Sequence, residues 1–180
     1  MAMFYTKSGD KGASCIGKTC VSKSHELIGL LGELDELNSF IGLSRSYSGS
    51  ARVRRVLLAL QEHLFIIQAH IAYLLYPKFT PPVFSVEKVS FLEKEIDAIE
   101  KGIKVQKSFI IPGSCKEAAW LDVARTLARK VERSYISETK NKKMNKDIAP
   151  YLNRLSSMLY ALARYSASVK KVKEKGPTYR

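Results

Sequence analysis

The chain has 180 residues, 46% hydrophobic and 26% charged, which is typical of one globular domain rather than a disordered or collagen-like chain. The 30 lysines and arginines outnumber the 17 acidic residues and give a formal charge of +13. Cys15, Cys20 and Cys115 form no Cys-x-x-Cys pair, which indicates a reducing compartment. No signal-peptide core and no apolar run of about 18 residues is evident, so we expect a cytoplasmic protein rather than a secreted or membrane protein.

The first half of the chain begins with a loop and continues with helices. Residues 1–24 are rich in Gly, Ser, Thr and Lys without a sustained period, and no convincing pair of strands is predicted. Apolar residues spaced by three to four then indicate a first helix around residues 30–41. A second, long apolar helix is expected over residues 51–76, ending where Pro77 forbids continuation. Ser85 is expected to cap a third helix with one apolar face.

The second half of the chain predicts two further helices. A short apolar turn, residues 109–113, is too brief for a helix. Ser114 and Glu117 have the spacing of a capping box, so we expect the fourth helix to begin there and to run to about Thr139. Pro150 suits the first turn of a last helix, which carries a line of leucines.

These elements together predict one all-α domain spanning residues 1–180, an up-and-down bundle of four or five helices. The loop of residues 1–24 precedes the bundle, which covers residues 25–170. The lysine-rich residues 171–180 are predicted to form a frayed tail.

Two of the predicted helices carry polar side chains in lines. On the fourth helix one face holds Asp122, Arg125, Arg129, Glu132 and Arg133. This pattern has two interpretations: a solvated face with ion pairs, or a site for phosphate or carboxylate groups, since three of the five residues are arginines. A weaker line on the last helix, for which an exposed face is the favoured interpretation, comprises Asn153, Ser157, Tyr160 and Arg164.

Two other motifs favour less specific interpretations. Residues 12–19 formally match the Walker A phosphate-binding pattern, which works only between a strand and a helix. Neither element is predicted there, so the match is accidental as a fold signal, although its glycines, hydroxyls and lysines suit a polyphosphate. His63 and His70 lie on an apolar helix without a Glu-x-x-His motif, which favours packed imidazoles over a di-iron centre.

Five blocks of sequence stand in a recognisable order. They are Thr6–Ser14 with Lys23, Gly32–Gly42, Phe109–Gly113, Ala118–Arg133 and Tyr151–Ser156. Together they resemble the motifs of the PduO-type ATP:cob(I)alamin adenosyltransferases over nearly the whole chain. The resemblance implies a ferritin-like, cobalamin adenosyltransferase-like five-helix bundle with an N-terminal nucleotide-binding loop, assembled as a homotrimer. The implied reaction transfers the 5′-deoxyadenosyl group of ATP to the cobalt of cob(I)alamin and releases triphosphate.

The resemblance also implies a nucleotide site between adjacent subunits. The residues that would bind ATP with its Mg²⁺ are Thr6, Ser8, Gly9, Asp10, Gly12, Ser14 and Lys23 from the loop of one subunit, and Arg129, Glu132 and Asn153 from helices of the other. The phosphates of ATP would hold most of the Mg²⁺ coordination, and the resemblance assigns no protein ligand to the metal.

A corrinoid site adjoins the nucleotide site in the same resemblance. Asp35 would pair with Arg125 across the subunit boundary, near the corrin. Phe109 would press on the lower face of the corrin and exclude the dimethylbenzimidazole ligand, although core packing is the default explanation for a large aromatic residue. With Arg129, these three residues form the implied catalytic set.

Four positions depart from the pattern of the family. Gly29, Asp122, Lys130 and Ser157 stand where that family usually has Glu, His, Arg and Asp. Lys130 keeps the charge of the arginine but loses its planar fork. These changes could alter nucleotide affinity or the choice of corrinoid.

Other partners and other functions follow from the same residues. A corrinoid reductase and an adenosylcobalamin-dependent enzyme are the further partners that the resemblance suggests, with no membrane partner. One alternative is a basic helical module that binds nucleic acid, which the charge of +13 favours and the lack of a recognised motif disfavours. The other alternative is a P-loop NTPase, which requires a parallel sheet.

Overall fold

The computed structural model describes residues 4, 5, 7, 9–104, 106 and 108–179. Within these residues lie two short strands and five helices. They are β1 (Ala13–Ile16), β2 (Thr19–Ser22), α1 (Glu26–Tyr47), α2 (Ala51–Leu75), α3 (Val86–Gly102), α4 (Lys116–Thr139) and α5 (Ile148–Val169). The prediction of an all-α bundle of four or five helices is confirmed, and the number of helices is five.

The five helices surround one apolar core. Helix α1 packs against α2 and α4, and α5 packs against α3 and α4. The core is lined by leucines and isoleucines with helical spacing, such as Leu30, Leu34 and Leu37 on α1. The sequence therefore places one apolar stripe of each helix inside and leaves the polar residues between α3, α4 and α5 free to form a site.

The imidazoles of α2 have hydrogen-bonding partners, as predicted. His63 Nδ1 lies 3.1 Å from the hydroxyl of Tyr151, which is fully buried. Burial, with a smaller contribution from the charge of Lys88, lowers the pKa of His63 to about 4. His70 Nε2 lies 3.0 Å from the carbonyl oxygen of Pro82.

The start of α4 differs from its prediction. The helix is capped at Cys115, without a side-chain hydrogen bond, so the expected capping box is wrong. Ser114 instead donates a hydrogen bond to the carboxylate of Glu174 at 3.2 Å, and Glu117 pairs with Lys170. Residues near the end of the chain therefore bind the two side chains that a capping box would have directed to backbone N–H groups of the helix.

The N-terminal segment forms a β-hairpin, contrary to the prediction that no pair of strands occurs. Strands β1 and β2 are antiparallel, and Ile16 is paired with Thr19. The turn between them consists of Gly17, with φ of 59°, and Lys18, and a glycine first in a two-residue turn suits a hairpin. The Walker-like residues 12–19 therefore lie along a hairpin rather than between a strand and a helix, which confirms that the match is accidental.

The hairpin register also brings two cysteines together. Cys15 lies directly opposite Cys20, with a Cα–Cα distance of 4.0 Å, and the two form a disulfide bond. Cys115 is the free cysteine. The cysteine pattern had indicated a reducing compartment, and this disulfide does not match that expectation. Spacing alone does not reveal such a pair because only the strand register places the two side chains face to face.

Helix α2 is long enough and apolar enough to cross a membrane, by length and composition alone. An 18-residue window within it has a mean hydropathy of 1.3, and 33% of that window is buried in the structure. The sequence has no uninterrupted apolar run of about 18 residues, as expected. The mean hydropathy of α2 over 18 residues is nevertheless high enough for a membrane-spanning helix. The buried side chains of α2 belong to the bundle core, and a helix in the core of a folded domain can have the same length and hydropathy.

Candidate functional site

The polar lines of α4 and α5 converge on one cavity. This cavity has a volume of about 340 Å³ and lies between α3, α4 and α5. Its polar lining includes Arg125 and Arg129 from α4 and Ser157, Tyr160 and Arg164 from α5. The favoured interpretation of the α5 line as an exposed face is wrong for Arg164, which is only 5% exposed.

A second cavity adjoins the segment that precedes α4. It has a volume of about 550 Å³, and Phe109 and Ile110 line it together with Arg125 and Tyr160. Arg125 and Tyr160 line both cavities, so the polar site and the segment carrying Phe109 share a wall. The ring of Phe109 is 78% exposed, which excludes core packing as its role within this chain.

Two of the helical residues assigned to the nucleotide contact each other. The side-chain amide of Asn153 donates a hydrogen bond to Glu132 Oε1 at 2.7 Å. Arg154 Nη1 donates to Asn153 Oδ1 at 2.6 Å, which fixes the orientation of that amide. Arg129 is exposed and precedes Glu132 by one turn of α4, so the three residues form one polar surface.

Arg125 lies beside a buried carboxylate. Its Nε atom lies 3.5 Å from Asp122 Oδ1, and the same aspartate accepts a hydrogen bond of 2.7 Å from Arg164 Nη2. The Nε atoms of both arginines are buried and have no hydrogen-bond partner among the described residues. Asp122 therefore faces into the bundle, rather than lying with Arg129 on an exposed stripe.

The residues of the N-terminal loop approach one another closely. The backbone N–H of Lys23 donates to the carbonyl oxygen of Gly12 at 2.8 Å, where Gly12 has a φ of 78°. A Cβ atom at Gly9 would lie 3.1 Å from Lys23 Nζ, so glycine allows this lysine to cross the loop. Asp10 is exposed and Ser14 is half-buried. Thr6 and Ser8, also assigned to ATP, lie outside the described residues.

The assigned residues fall into separate groups within one chain. In the described part of the chain, no hydrogen bond or ion pair joins residues 9–23 to Arg125, Arg129, Glu132 or Asn153. Asp35 is exposed on α1, whereas its neighbours Glu33 and Glu36 pair with Lys130 of α4. Within the described part of one chain, the loop, Asp35 and the helical residues therefore make no direct polar contact with one another.

The acidic residues offer little to a tightly bound metal ion. Among the described residues, no group of three or more His, Cys, Asp or Glu side chains is arranged to hold one. Asp10 and Glu132 are the carboxylates of the assigned set, and carboxylate oxygens suit Mg²⁺. This donor set fits a magnesium ion that is held mostly by other oxygens and contacts the protein once or twice.

The family model for cobalamin adenosyltransferases matches residues 4–166. The chain belongs to the cobalamin adenosyltransferase family. It is 36% identical to the corrinoid adenosyltransferase of Bacillus subtilis, over 89% of the chain and 84% of that protein. It is 37% identical to the corrinoid adenosyltransferase PduO of Salmonella typhimurium, again over 89% of the chain, but spans only 48% of that relative.

Solved structures of the cobalamin adenosyltransferase family match the fold over nearly its whole length. A phenylalanine-to-histidine variant of the PduO-type ATP:corrinoid adenosyltransferase from Lactobacillus reuteri, complexed with cobalamin and ATP, has a TM-score of 0.90. The two chains are 30% identical, and the match covers 97% of this chain and 96% of that one. An arginine-to-lysine variant complexed with ATP has a TM-score of 0.88 at 29% identity, covering 97% of this chain and 99% of that one.

Sequence reasoning missed one residue next to these sites. Glu174 lies in the tail that was predicted to be frayed, yet its carboxylate contacts Arg164 and Ser114. The available signal was Arg164, which stands in an otherwise apolar run. A buried arginine requires an anionic partner, and in the part of the chain that the structure describes Arg164 has two, Asp122 and Glu174.

Proposed function

We propose that this chain transfers the 5′-deoxyadenosyl group of ATP to the cobalt of cob(I)alamin, forming adenosylcobalamin and releasing triphosphate. The observation that carries the proposal is the shared wall of Arg125 and Tyr160, which joins the exposed Phe109 to a cavity lined by arginines. Membership of the cobalamin adenosyltransferase family supports the same reaction.

The proposed reaction is a substitution at C5′ of ATP. Co(I) supplies both electrons of the new Co–C bond, the C5′–O bond breaks, and its electron pair leaves with the triphosphate. The leaving group gains charge, so cationic and N–H groups that contact it stabilise the transition state more than the ground state. We assign this role to Lys23 and Arg129, with Glu132 and Asn153 positioning the nucleotide.

We assign Mg²⁺ to the substrate, as a complex with ATP. A divalent ion on the phosphates neutralises charge on the leaving triphosphate. Asp10 in the loop and Glu132 on α4 are the carboxylates that could reach it or its water ligands. Gly9, Gly12 and Ser14 would supply backbone N–H groups and a hydroxyl to the phosphate oxygens, together with Thr6 and Ser8.

Phe109 is proposed to act on the corrinoid rather than on ATP. An exposed aromatic ring at the start of a turn can press against the lower face of a corrin and keep the dimethylbenzimidazole away from cobalt. Loss of that axial ligand lowers the energy of the cobalt orbital that accepts an electron, which makes reduction of Co(II) to Co(I) easier. The backbone of this segment is held by a hydrogen bond of 2.9 Å from Ile111 N–H to the carbonyl oxygen of Lys175.

We propose that the active form is a homotrimer in which ATP lies between subunits. Within the described residues of one chain, the N-terminal loop makes no hydrogen bond or ion pair with Arg125, Arg129, Glu132 or Asn153, which supports a site shared by two chains. Asp35, exposed on α1, would pair with Arg125 of an adjacent subunit near the corrin. Such a pair would give Arg125 a second carboxylate besides Asp122 of its own chain, and removal of either partner would lose that added compensation.

The proposal extends to the place and the partners of the reaction. We propose a cytoplasmic enzyme, in whose reducing environment Cys15 and Cys20 would be kept as thiols. It would receive reduced corrinoid from a corrinoid reductase and deliver its product to an adenosylcobalamin-dependent enzyme. The direct test is anaerobic incubation of the protein with ATP, Mg²⁺ and cob(I)alamin. The spectrum of adenosylcobalamin should form and disappear on exposure to light, and no product under these conditions would overturn the proposal.

The alternative of a nucleic-acid-binding module has one supporting feature, the lysines between α4 and α5. Three of them are exposed, namely Lys140, Lys143 and Lys146. The ammonium of Lys142 instead donates hydrogen bonds to the carboxylate of Glu26 and to the carbonyl oxygen of Glu138. Binding through about six phosphates would weaken roughly as the fifth power of the salt concentration. A salt titration with duplex DNA and single-stranded RNA that shows no such dependence removes this alternative.

A further inference from the structure

Four charged side chains form a chain of contacts from α4 to the tail. Arg125 Nε lies 3.5 Å from Asp122 Oδ1, and Asp122 Oδ2 accepts a hydrogen bond from Arg164 Nη2 at 2.7 Å. The other side of the same guanidinium continues the series, since Arg164 Nη1 lies 3.3 Å from Glu174 Oε1. Two cations therefore alternate with two anions.

This series is largely shielded from water. The side chains of Asp122, Arg164 and Glu174 are 5%, 6% and 11% exposed. Charges in such surroundings must be compensated by partners, and removal of one carboxylate leaves a guanidinium with fewer of them. Arg164 also stacks on the ring of Tyr160, with its guanidinium carbon 4.8 Å from the ring centroid.

The tail that carries Glu174 also holds the segment that carries Phe109. Ser114 Oγ donates to Glu174 Oε1 at 3.2 Å, and Ile111 N–H donates to the carbonyl oxygen of Lys175 at 2.9 Å. A Cβ atom at Gly176 would lie 3.2 Å from the carbonyl oxygen of Phe109, so the tail passes directly against this segment. The carboxylate of Glu174 is thus linked to Arg125 on one side of the proposed corrinoid site and to the segment carrying Phe109 on the other.

We propose that Glu174 is a positioning residue that fixes the placement of Phe109 relative to Arg125. It acts on Arg125 through Arg164 and Asp122, and on the Phe109 segment through Ser114 and the adjoining backbone contact of Lys175. The proposal rests on the proposed adenosyl transfer, because only that reaction needs the ring and the guanidinium at a set separation. Displacement of a positioned group by about 1 Å can cost a hundredfold in rate.

The test compares Glu174→Gln with Glu95→Gln as a matched control. Glu95 is also mostly buried, at 14% exposure, and also contacts two arginines, Arg52 and Arg55, but it lies between α2 and α3 and lines neither cavity. We expect Glu174→Gln to lower turnover of cob(II)alamin with a reductant about tenfold, with KM for ATP unchanged. Glu95→Gln should leave turnover at the wild-type level.

Two further measurements separate positioning from stability. Chemically prepared cob(I)alamin, which already lacks the lower ligand, should restore most of the lost rate in Glu174→Gln. Hydrogen exchange followed by mass spectrometry should show faster exchange of peptides containing Ile111 in Glu174→Gln than in Glu95→Gln. Turnover equal in the two variants, or a loss that cob(I)alamin does not restore, would overturn the role of Glu174.

The exchange measurement also distinguishes this inference from the proposed function. A wild-type protein that forms no adenosylcobalamin refutes the adenosyl transfer, whatever the variants do. Unchanged exchange around Ile111 in Glu174→Gln refutes the link between Glu174 and the Phe109 segment, even in an active enzyme.

Discussion

Asn153 and Glu132 connect α5 to α4 through a hydrogen bond of 2.7 Å between the amide and the carboxylate. Arg154 holds the opposite side of the amide at 2.6 Å, so Asn153 has one orientation. Arg129 stands one turn earlier on α4 and lines the cavity between α3, α4 and α5. Arg133 is also an exposed arginine of α4, but it does not line that cavity, so we expect the two arginines to differ in function.

We predict that Arg129→Ala impairs ATP use far more than Arg133→Ala. Loss of a charge-assisted contact that strengthens as triphosphate leaves should cost about 3 kcal/mol, or roughly a hundredfold in rate. Initial rates of adenosylcobalamin formation at varied ATP concentration measure the effect. Equal rates in the two variants would mean that this face of α4 is an ordinary solvated surface.

We predict a trimer whose stability depends on Asp35. Asp35→Ala should raise the protein concentration at which the trimer dissociates by about tenfold. This is equivalent to about 2.7 kcal/mol per trimer, because that concentration varies as the square root of the dissociation constant of a trimer. Glu36→Ala is the matched control, because Glu36 is an exposed carboxylate of the same helix that pairs with Lys130 of its own chain. Light scattering over a dilution series, with ATP present, gives the assembly state. A wild-type monomer throughout would contradict the shared-site arrangement.

Protonation of His63 predicts a loss of stability in mild acid. Its pKa is lowered to about 4 in the folded protein from an ordinary value of 6.5, so the unfolded chain takes up a proton first as the pH falls. The contribution of neutral His63 is complete above pH 6.5 and is lost progressively down to about pH 4. We expect a loss of about 1–2 kcal/mol after allowance for its partial exposure to solvent.

Urea denaturation between pH 7 and pH 4 measures this dependence. His63→Gln should remove the part of the slope due to His63, whereas His70→Gln, on the same helix, should retain it. A slope in that pH range that is the same in wild type and His63→Gln would show that other groups control the acid response.

The helices were predictable because apolar residues with a period of three to four mark every buried face. Ser85 was correctly placed at the start of α3, and the end of α2 before Pro77 follows from the geometry of proline. The hairpin was missed because its strands have only four residues each and none of these residues is fully buried, so the sequence carries no strong apolar alternation there.

The site was predictable only where a motif identified it. Wheel arithmetic placed Asp122 with Arg125 and Arg129, but burial of Asp122 depends on a partner that the wheel does not contain, Arg164 of α5. Glu174 was missed for a similar reason. A lysine-rich tail predicts exposure, and one acidic residue within it gives no local sign that it contacts a buried arginine.

The exposed ring of Phe109 gives the prediction that separates corrinoid chemistry from nucleotide binding. Phe109→Ala should change the free energy of unfolding by less than about 0.5 kcal/mol, since the side chain is 78% exposed and leaves no core cavity. The affinity of the Phe109→Ala protein for ATP should equal that of the wild type. Turnover with cob(II)alamin and a reductant should collapse, because Co(II) that keeps its lower ligand resists reduction.

Rescue of Phe109→Ala by cob(I)alamin decides whether the ring acts on the lower ligand. Chemically prepared cob(I)alamin already lacks that ligand, so it should restore most of the rate. Ile111→Ala is the matched control: Ile111 is an exposed apolar residue of the same segment, its backbone N–H bond to Lys175 survives the change, and its turnover should stay near the wild-type rate. A folded, ATP-binding Phe109→Ala protein that cob(I)alamin does not rescue would show that Phe109 serves another step.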